Sequence, residues 1–407
     1  MKYVLILLDG MADYPIQKLN GKTPLEFAFT PAMDAIAKSS EIGLVRTVPD
    51  GFKPGSDVAN LGVLGYDVHT CYTGRSPLEA LSIGINMQDD DLALRANLVT
   101  LSNETEYDQK TMLDYSAGEI STDEARILLD ELSAHLKSQS FAQSFELHCG
   151  ISYRHCLILK HSSPNEILTP PHDILDKRIA DYLPSGGQSA LLLSLMKTSY
   201  EFLSKHSINL EREANGKRPA NSLWFWGEGT KPNIQSFEEK YGKRCAMISA
   251  VDLLKGIAIG SGMKVLEVEG ATGTLDTNFD GKAQRAIDAL ESGIADVCMI
   301  HLEATDECGH QGDVDGKVKA IELIDQKIIS KVLGHFESKS EPISLLIMPD
   351  HYTPISKRTH TGEPVPYMLY TSSRALGSNK SYSEQAARDS KILFENPWEL
   401  TERFLSL

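Results

Sequence analysis

The chain reads as an α/β protein: a doubly wound sheet domain assembled from both ends of the sequence and interrupted by an α+β insertion. Three observations predict this. Apolar runs at residues 3–8, 298–302 and 343–348 have the length and composition of buried parallel strands. Each run is followed by acid: Asp9 after the first, Glu303 and Asp306 after the second, Asp350 after the third. Helical patterns such as residues 281–292 and 317–336 lie between the runs, and that alternation defines a doubly wound sheet. Ligands of open α/β sheets gather beyond the carboxyl ends of the strands, so three strands ending in acids point to one edge.

The middle of the chain carries none of these acid-terminated strands. Residues 121–138 open with a capping box, Ser121 to Glu124, and continue as a helix. Strands are expected at residues 144–149 and 156–160, and a second long helix at 189–205. The Pro-, Asn- and Gly-rich stretches 162–173 and 215–221 are loops. The expected division is therefore residues 1–87 with 221–407 for the sheet domain, and 88–220 for the insertion. Ser185-Gly186-Gly187-Gln188-Ser189 reads as a plain helix start, and Trp224-Phe225-Trp226-Gly227 as a buried strand.

The chain has 407 residues and a formal net charge of −16, which argues against a nucleic-acid partner, since such affinity comes from clustered Lys and Arg. A small anionic substrate is compatible with this charge, because metals and arginines set the field inside a cleft. None of the six cysteines forms a CxxC pair, so a structural zinc knuckle is not expected and the thiols are read as free, in a reducing compartment. The run at 3–8 is too short for a signal-peptide core or a membrane span. The expectation is a cytoplasmic protein with no membrane partner. No GxxxxGK[ST] sequence supports a nucleotide loop.

The chemistry lies in two groups. Asp9 and Ser56 (within Pro54-Gly55-Ser56-Asp57) come from the first part of the chain. Asp306, His310, Asp350, His351 and His360 come from the last third. Asp306 and His310 are four residues apart and share one face of a helical turn. Taken singly these signals are weak: Asp-Gly after a strand is an ordinary turn, and a loop Ser is unremarkable. Together they supply hard carboxylates, imidazoles and one hydroxyl, the needs of a two-metal phosphoryl-transfer site with a serine nucleophile. Mixed Asp and His ligands suit manganese, zinc or cobalt, with two divalent ions, Mn2+ or Zn2+, the leading expectation. Asp57 and Asn60 lie next to Ser56, placed to orient a phosphate or its water.

These positions fall in a longer series of motifs: Leu8-Asp9-Gly10-Met11-Ala12-Asp13, Thr23-Pro24-Leu25-Glu26, Pro54-Gly55-Ser56-Asp57-Val58-Ala59-Asn60-Leu61, Leu64-Gly65-Tyr66-Asp67, Tyr72-Thr73-Gly74-Arg75-Ser76-Pro77-Leu78-Glu79-Ala80, Pro219-Ala220-Asn221, Asp306-Glu307-Cys308-Gly309-His310 and Pro349-Asp350-His351. Over nearly its whole length the chain resembles the cofactor-independent phosphoglycerate mutases of the archaeal type, within the alkaline phosphatase superfamily. The resemblance implies an alkaline phosphatase-like sheet domain with the insertion as a lid. It implies a transient phosphoryl group on Ser56, one metal held by Asp306, His310 and His360, and the other by Asp9, Ser56, Asp350 and His351. The implied reaction interconverts 3-phosphoglycerate and 2-phosphoglycerate.

One departure bears on the substrate. Where the family carries Asp-Arg-Arg-Ala-Gly-Arg, this chain has Asp114-Tyr115-Ser116-Ala117-Gly118-Glu119. Arg75, Arg95, Arg154 and Arg212 remain as candidates to grip carboxylate and phosphate, for which the guanidinium fork is suited. The lost arginines also fit the family's proposed homoserine kinase branch, with Asp114 or Glu119 pairing a substrate ammonium. A third reading, a non-catalytic binding protein on this scaffold, is opposed by the complete ligand set.

Overall fold

A computed structural model describes residues 1–141, 144–377 and 381–407. It divides into two compact units, Met1–Tyr72 with Asn233–Leu407, and Thr73–Pro232. The insertion thus begins earlier and ends later than the expected 88–220. The physical reason is the sheet of the second unit. Its central strand Leu92–Leu101 pairs antiparallel with Ser222–Thr230. The Ser76 hydroxyl, on the helix Arg75–Ser82, donates to the Gly227 carbonyl on that same strand. Both flanks therefore belong with the insertion.

The first unit is built on an eight-stranded mixed sheet. At its centre Lys2–Leu8 lies between two parallel neighbours, Val297–Leu302 and Ile343–Met348. The register sets Leu8 beside Leu302 and Leu7 beside Met348, so the three acid-bearing ends emerge together. All three strands are buried almost throughout, as continuous apolar runs require. The parallel pattern is broken at Val365–Thr371, which runs antiparallel to both its neighbours. Helix Phe279–Glu291 packs its Ala283, Ala286, Ile287 and Leu290 into the core. The expected helix at 317–336 is Val314–Ile324 continued through a π-turn, Asp325–Ile329, into Ser330–Ser338.

The second unit has a five-stranded antiparallel sheet around Leu92–Leu101. The helix Thr122–Lys137 begins as expected, with the Ser121 side chain accepting from the Glu124 N–H. It packs with Ser189–Leu203 on the sheet through Leu128, Leu132, Leu192 and Leu195. Among the described residues no helix is long and apolar enough to cross a membrane, and all six cysteines are free thiols.

Candidate active site

Every metal-ligating candidate read from the sequence lies in the first unit, beyond the ends of its three central strands. Asp9 follows Lys2–Leu8 directly. The turn after it needs glycine: Gly10 has φ +60, and a Cβ there would run into Thr353 and Asp306. Asp350 and His351 follow Ile343–Met348. Asp306 and His310 sit on the helix Ala304–Gln311, one turn apart. Ser56 is the first residue of the helix Ser56–Val63, whose opening N–H groups lack intrahelical partners.

The side chains form two adjoining clusters. In the first, His351 Nε2 is 3.2 Å from Ser56 Oγ, 3.5 Å from Asp9 Oδ1 and 3.4 Å from Asp350 Oδ2. The other nitrogen of His351 faces the Thr353 hydroxyl at 3.2 Å, so Nε2 is the one turned to the carboxylates. In the second, Asp306 Oδ2 is 3.2 Å from His310 Nε2, Asp306 Oδ1 is 3.4 Å from His360 Nε2, and the two imidazole nitrogens lie 3.0 Å apart. His310 Nδ1 is turned to the Arg358 carbonyl, which leaves Nε2 for the cluster. The His351 and His360 rings stack at 3.8 Å, joining the clusters.

Two features of this arrangement call for cations. Asp9 Oδ1 is buried with no hydrogen-bond partner, which costs free energy unless a ligand satisfies it. Burial, and after it the Asp350 and Asp306 carboxylates, push the Asp9 carboxyl well above its usual range. Across the second cluster two imidazole nitrogens face each other beside a carboxylate, a donor set shaped for a shared positive charge. Burial pushes the Asp306 carboxyl upward, yet the His310 and His360 rings and the charge of His351 together hold it far below the usual range. Groupings by proximity also set His351 with Asp306 and His360, and His301 with Asp9 and Asp350. The hydrogen-bond directions favour placing His351 with Asp9, because its Nε2 meets three oxygens of that cluster.

Asn60 differs from expectation. It is fully buried, and its amide donates to the Ser56 carbonyl at 2.8 Å and to Asp350 Oδ2 at 2.9 Å. It ties the Ser56 backbone to the Asp350 carboxylate from a fully buried position. His301, absent from the candidates, sits behind Asp9 and has no exposed surface. Burial alone would pull its ring down, but the Glu303 and Asp9 carboxylates lift it to about 10.

In the second unit the four candidate arginines separate into two groups. Arg95 is buried, 3.0 Å from Glu79 and 4.4 Å above the Trp226 ring. Arg75 reaches the other Glu79 oxygen at 2.8 Å. Arg154 lies over Tyr153. Burial lowers the Arg95 guanidinium, Glu79 counters it, and the charges of Arg75 and Arg154 lower it further, so the three are neighbours. Arg212 stands apart: its guanidinium is used by the Arg218 carbonyl, the Glu124 carboxylate and the Ala117 carbonyl. That is a structural tie, so Arg212 is withdrawn as a substrate grip. Asp114 is likewise committed, accepting from Ser116 and Gly118 within its turn.

A sheet domain with two acid–imidazole clusters and a serine at a helix start is the framework of a metal-dependent phosphoryl-transfer enzyme. A family model described as 2,3-bisphosphoglycerate-independent phosphoglycerate mutase matches residues 37–209. The chain is 47% identical over 394 residues to the enzyme of that name from Methanosarcina barkeri, covering 96% of each. It is 43% identical over 406 residues to a probable one from Geobacter sulfurreducens, covering 100% of each. The solved cofactor-independent phosphoglycerate mutase of Thermoplasma acidophilum superposes with a TM-score of 0.69 at 26% identity, covering 100% of this chain and 99% of that one. The PH0037 protein of Pyrococcus horikoshii gives 0.81 at 30% identity, covering 100% and 96%. The chain belongs to the 2,3-bisphosphoglycerate-independent phosphoglycerate mutase family.

Proposed function

We propose that this chain interconverts 3-phosphoglycerate and 2-phosphoglycerate through a phosphoserine at Ser56. The observation that carries the reading is the convergence of Ser56 Oγ with Asp9, Asp350 and His351 beside the Asp306, His310 and His360 cluster. Asp9, Ser56, Asp350 and His351 would hold one divalent ion, and Asp306, His310 and His360 the other, with manganese the first choice for these mixed oxygen and nitrogen donors. Bound there, the ions would supply Lewis acidity and favour the ionised serine hydroxyl. Ser56 Oγ gives up its proton and attacks phosphorus, the bond to the substrate ester oxygen breaks, and that leaving oxygen takes up a proton in exchange, so the step is proton-neutral. The glycerate then presents its other hydroxyl, which attacks the phosphoserine and restores Ser56. Phosphate is neither gained nor lost. The N–H groups at the helix start beside Ser56 favour the transferred anion, and Asn60 keeps that turn in register with Asp350.

For the substrate's anionic groups we propose Arg75, Arg95 and Arg154, with the second unit as the substrate-gripping lid. Family membership supports a mutase over homoserine phosphorylation, and so does the commitment of Asp114 to its own turn. The test is a side-by-side assay of manganese-loaded protein on 3-phosphoglycerate, and on homoserine with ATP. We expect 2-phosphoglycerate from the first, none from metal-stripped protein, no phosphohomoserine, and about two ions per chain by elemental analysis. Turnover of homoserine alone, or full activity without metal, would overturn the reading.

Arg95→Ala is expected to lower kcat/KM for 3-phosphoglycerate about ten- to hundredfold, matching roughly 1.5–3 kcal/mol for hydrogen bonds to a charged group. Arg95→Lys should recover little, because an ammonium neither stacks on Trp226 as a plane nor offers a fork. Unchanged steady-state kinetics after separate replacement of Arg75, Arg95 and Arg154 would remove all three as substrate grips.

A further inference from the structure

We infer that His301 is a positioning residue for the metal centre, clamping one oxygen of Asp9 through a buried chain that runs to Glu303 and ends on Lys282. The inference rests on the reading of Asp9 as a metal ligand and goes beyond it. His301 Nε2 is 3.0 Å from Asp9 Oδ2, and its Nδ1 is 3.0 Å from Glu303 Oε1. Glu303 Oε1 also accepts from the Ala250 N–H at 2.9 Å and the Ser249 hydroxyl at 3.2 Å. Glu303 Oε2 accepts from Lys282 Nζ at 2.9 Å, and the same ammonium reaches the His301 carbonyl at 2.9 Å. The side chains of His301 and Lys282 are wholly buried, and those of Glu303 and Asp9 are 7% exposed.

The two oxygens of Asp9 are thereby made unequal. Oδ2 is taken by His301, while Oδ1 is left without a hydrogen bond on the side of His351. A carboxylate that must present one chosen oxygen needs its other oxygen held, and residues behind a ligating group commonly do this. Each ring nitrogen of His301 faces a carboxylate oxygen, so neither is spare to serve as a ligand. The far end of the chain is anchored independently of the site. Lys282 stands on Phe279–Glu291 and is held to a backbone carbonyl, so the clamp is braced by the sheet and a helix together. An unpaired lysine or glutamate so deeply buried would be strongly unfavourable, which makes the hydrogen-bonded series Asp9, His301, Glu303 and Lys282 a single unit.

The test is manganese binding to the metal-stripped full-length chain, followed by titration calorimetry, for wild type, His301→Asn, Glu303→Gln and Asp9→Asn. We expect His301→Asn to bind two ions at saturation, with one site weakened about 10- to 100-fold and the other unchanged. Glu303→Gln, nearly isosteric, keeps an acceptor for Lys282 and should weaken the same site by a smaller factor, with a lowered melting temperature because the buried ammonium loses its countercharge. It keeps the inference testable should His301→Asn fail to fold. One ion at saturation in His301→Asn would make His301 a ligand and overturn the positioning role. Equal weakening of both sites would make the chain a general structural support, with the same consequence. Two wild-type sites in both His301→Asn and Glu303→Gln would also overturn the inference. Asp9→Asn separates the two claims: if it too retains both sites, the assignment of Asp9 as a ligand fails; if it loses one while the other variants do not, only the clamp fails.

Discussion

Replacing Ser56 by Ala is expected to lower kcat by about 10⁴-fold or more, the scale seen when a nucleophile is deleted from a preorganised site, while both metal sites persist. On the proposed assignment six other residues would remain to hold the ions: Asp9, Asp350 and His351 at one site, Asp306, His310 and His360 at the other. The hydroxyl is one donor among several in its cluster, yet it alone can accept and return a phosphoryl group. The helix start that carries it should be kept, because Asn60 holds the residue 56 carbonyl and Asp350 together and neither contact uses the hydroxyl. Mass spectrometry of acid-quenched reactions should find phosphate on the wild-type chain at Ser56 and none on the variant. Near wild-type turnover in Ser56→Ala would exclude a phosphoserine route, and loss of both ions would show that the hydroxyl organises the site.

The acid-ended strands were legible because buried parallel strands are continuous in sequence and end abruptly. Asp9, Asp306 and Asp350 follow such ends, and the structure places those ends side by side. The two-ion division came only from the family resemblance, since spacing along a chain does not reveal which imidazole faces which carboxylate. The His351 Nε2 contacts to Ser56, Asp9 and Asp350 are compatible with that division, while proximity also groups His351 with Asp306 and His360. His301 was invisible for a different reason. It lies inside an apolar run, Val297–Leu302, where a single histidine reads as a core residue satisfied by a neighbour. The available signal was Glu303 two residues on, since residues i and i+2 of a strand share a face. Arg212 illustrates the converse. An arginine in a polar helix looks free in sequence, and only tertiary structure shows its donors consumed. The extent of the insertion is not legible in sequence, because only the pairing of Ser222–Thr230 with Leu92–Leu101 assigns that strand to it.

Lys317 gives the largest stability effect we expect. Helical periodicity places lysines on solvent faces, yet the side chain of Lys317 is 0% exposed, and its partner Asp13 is 1% exposed. The ammonium is 2.8 Å from Asp13 Oδ2 and 2.8 Å from the Thr353 carbonyl. Burial lowers the Lys317 ammonium, and Asp13 is the main influence opposing it. Asp13 in turn accepts from the Ile355 and Tyr14 N–H groups, so it cannot withdraw to water if its partner is lost. Lys317→Met, similar in length and without charge, should therefore destabilise the protein by about 3–5 kcal/mol, the cost of leaving one member of a buried ion pair alone. Adding Asp13→Asn should return part of that loss. The amide oxygen still accepts from the two backbone groups, while the uncompensated charge is gone. Urea unfolding of the metal-stripped wild type, both single variants and the double variant closes the cycle. A Lys317→Met midpoint indistinguishable from wild type would mean that water reaches Asp13 after all. A double variant no more stable than Lys317→Met would place the energy in the Thr353 contact, because that hydrogen bond is lost whether or not Asp13 is charged.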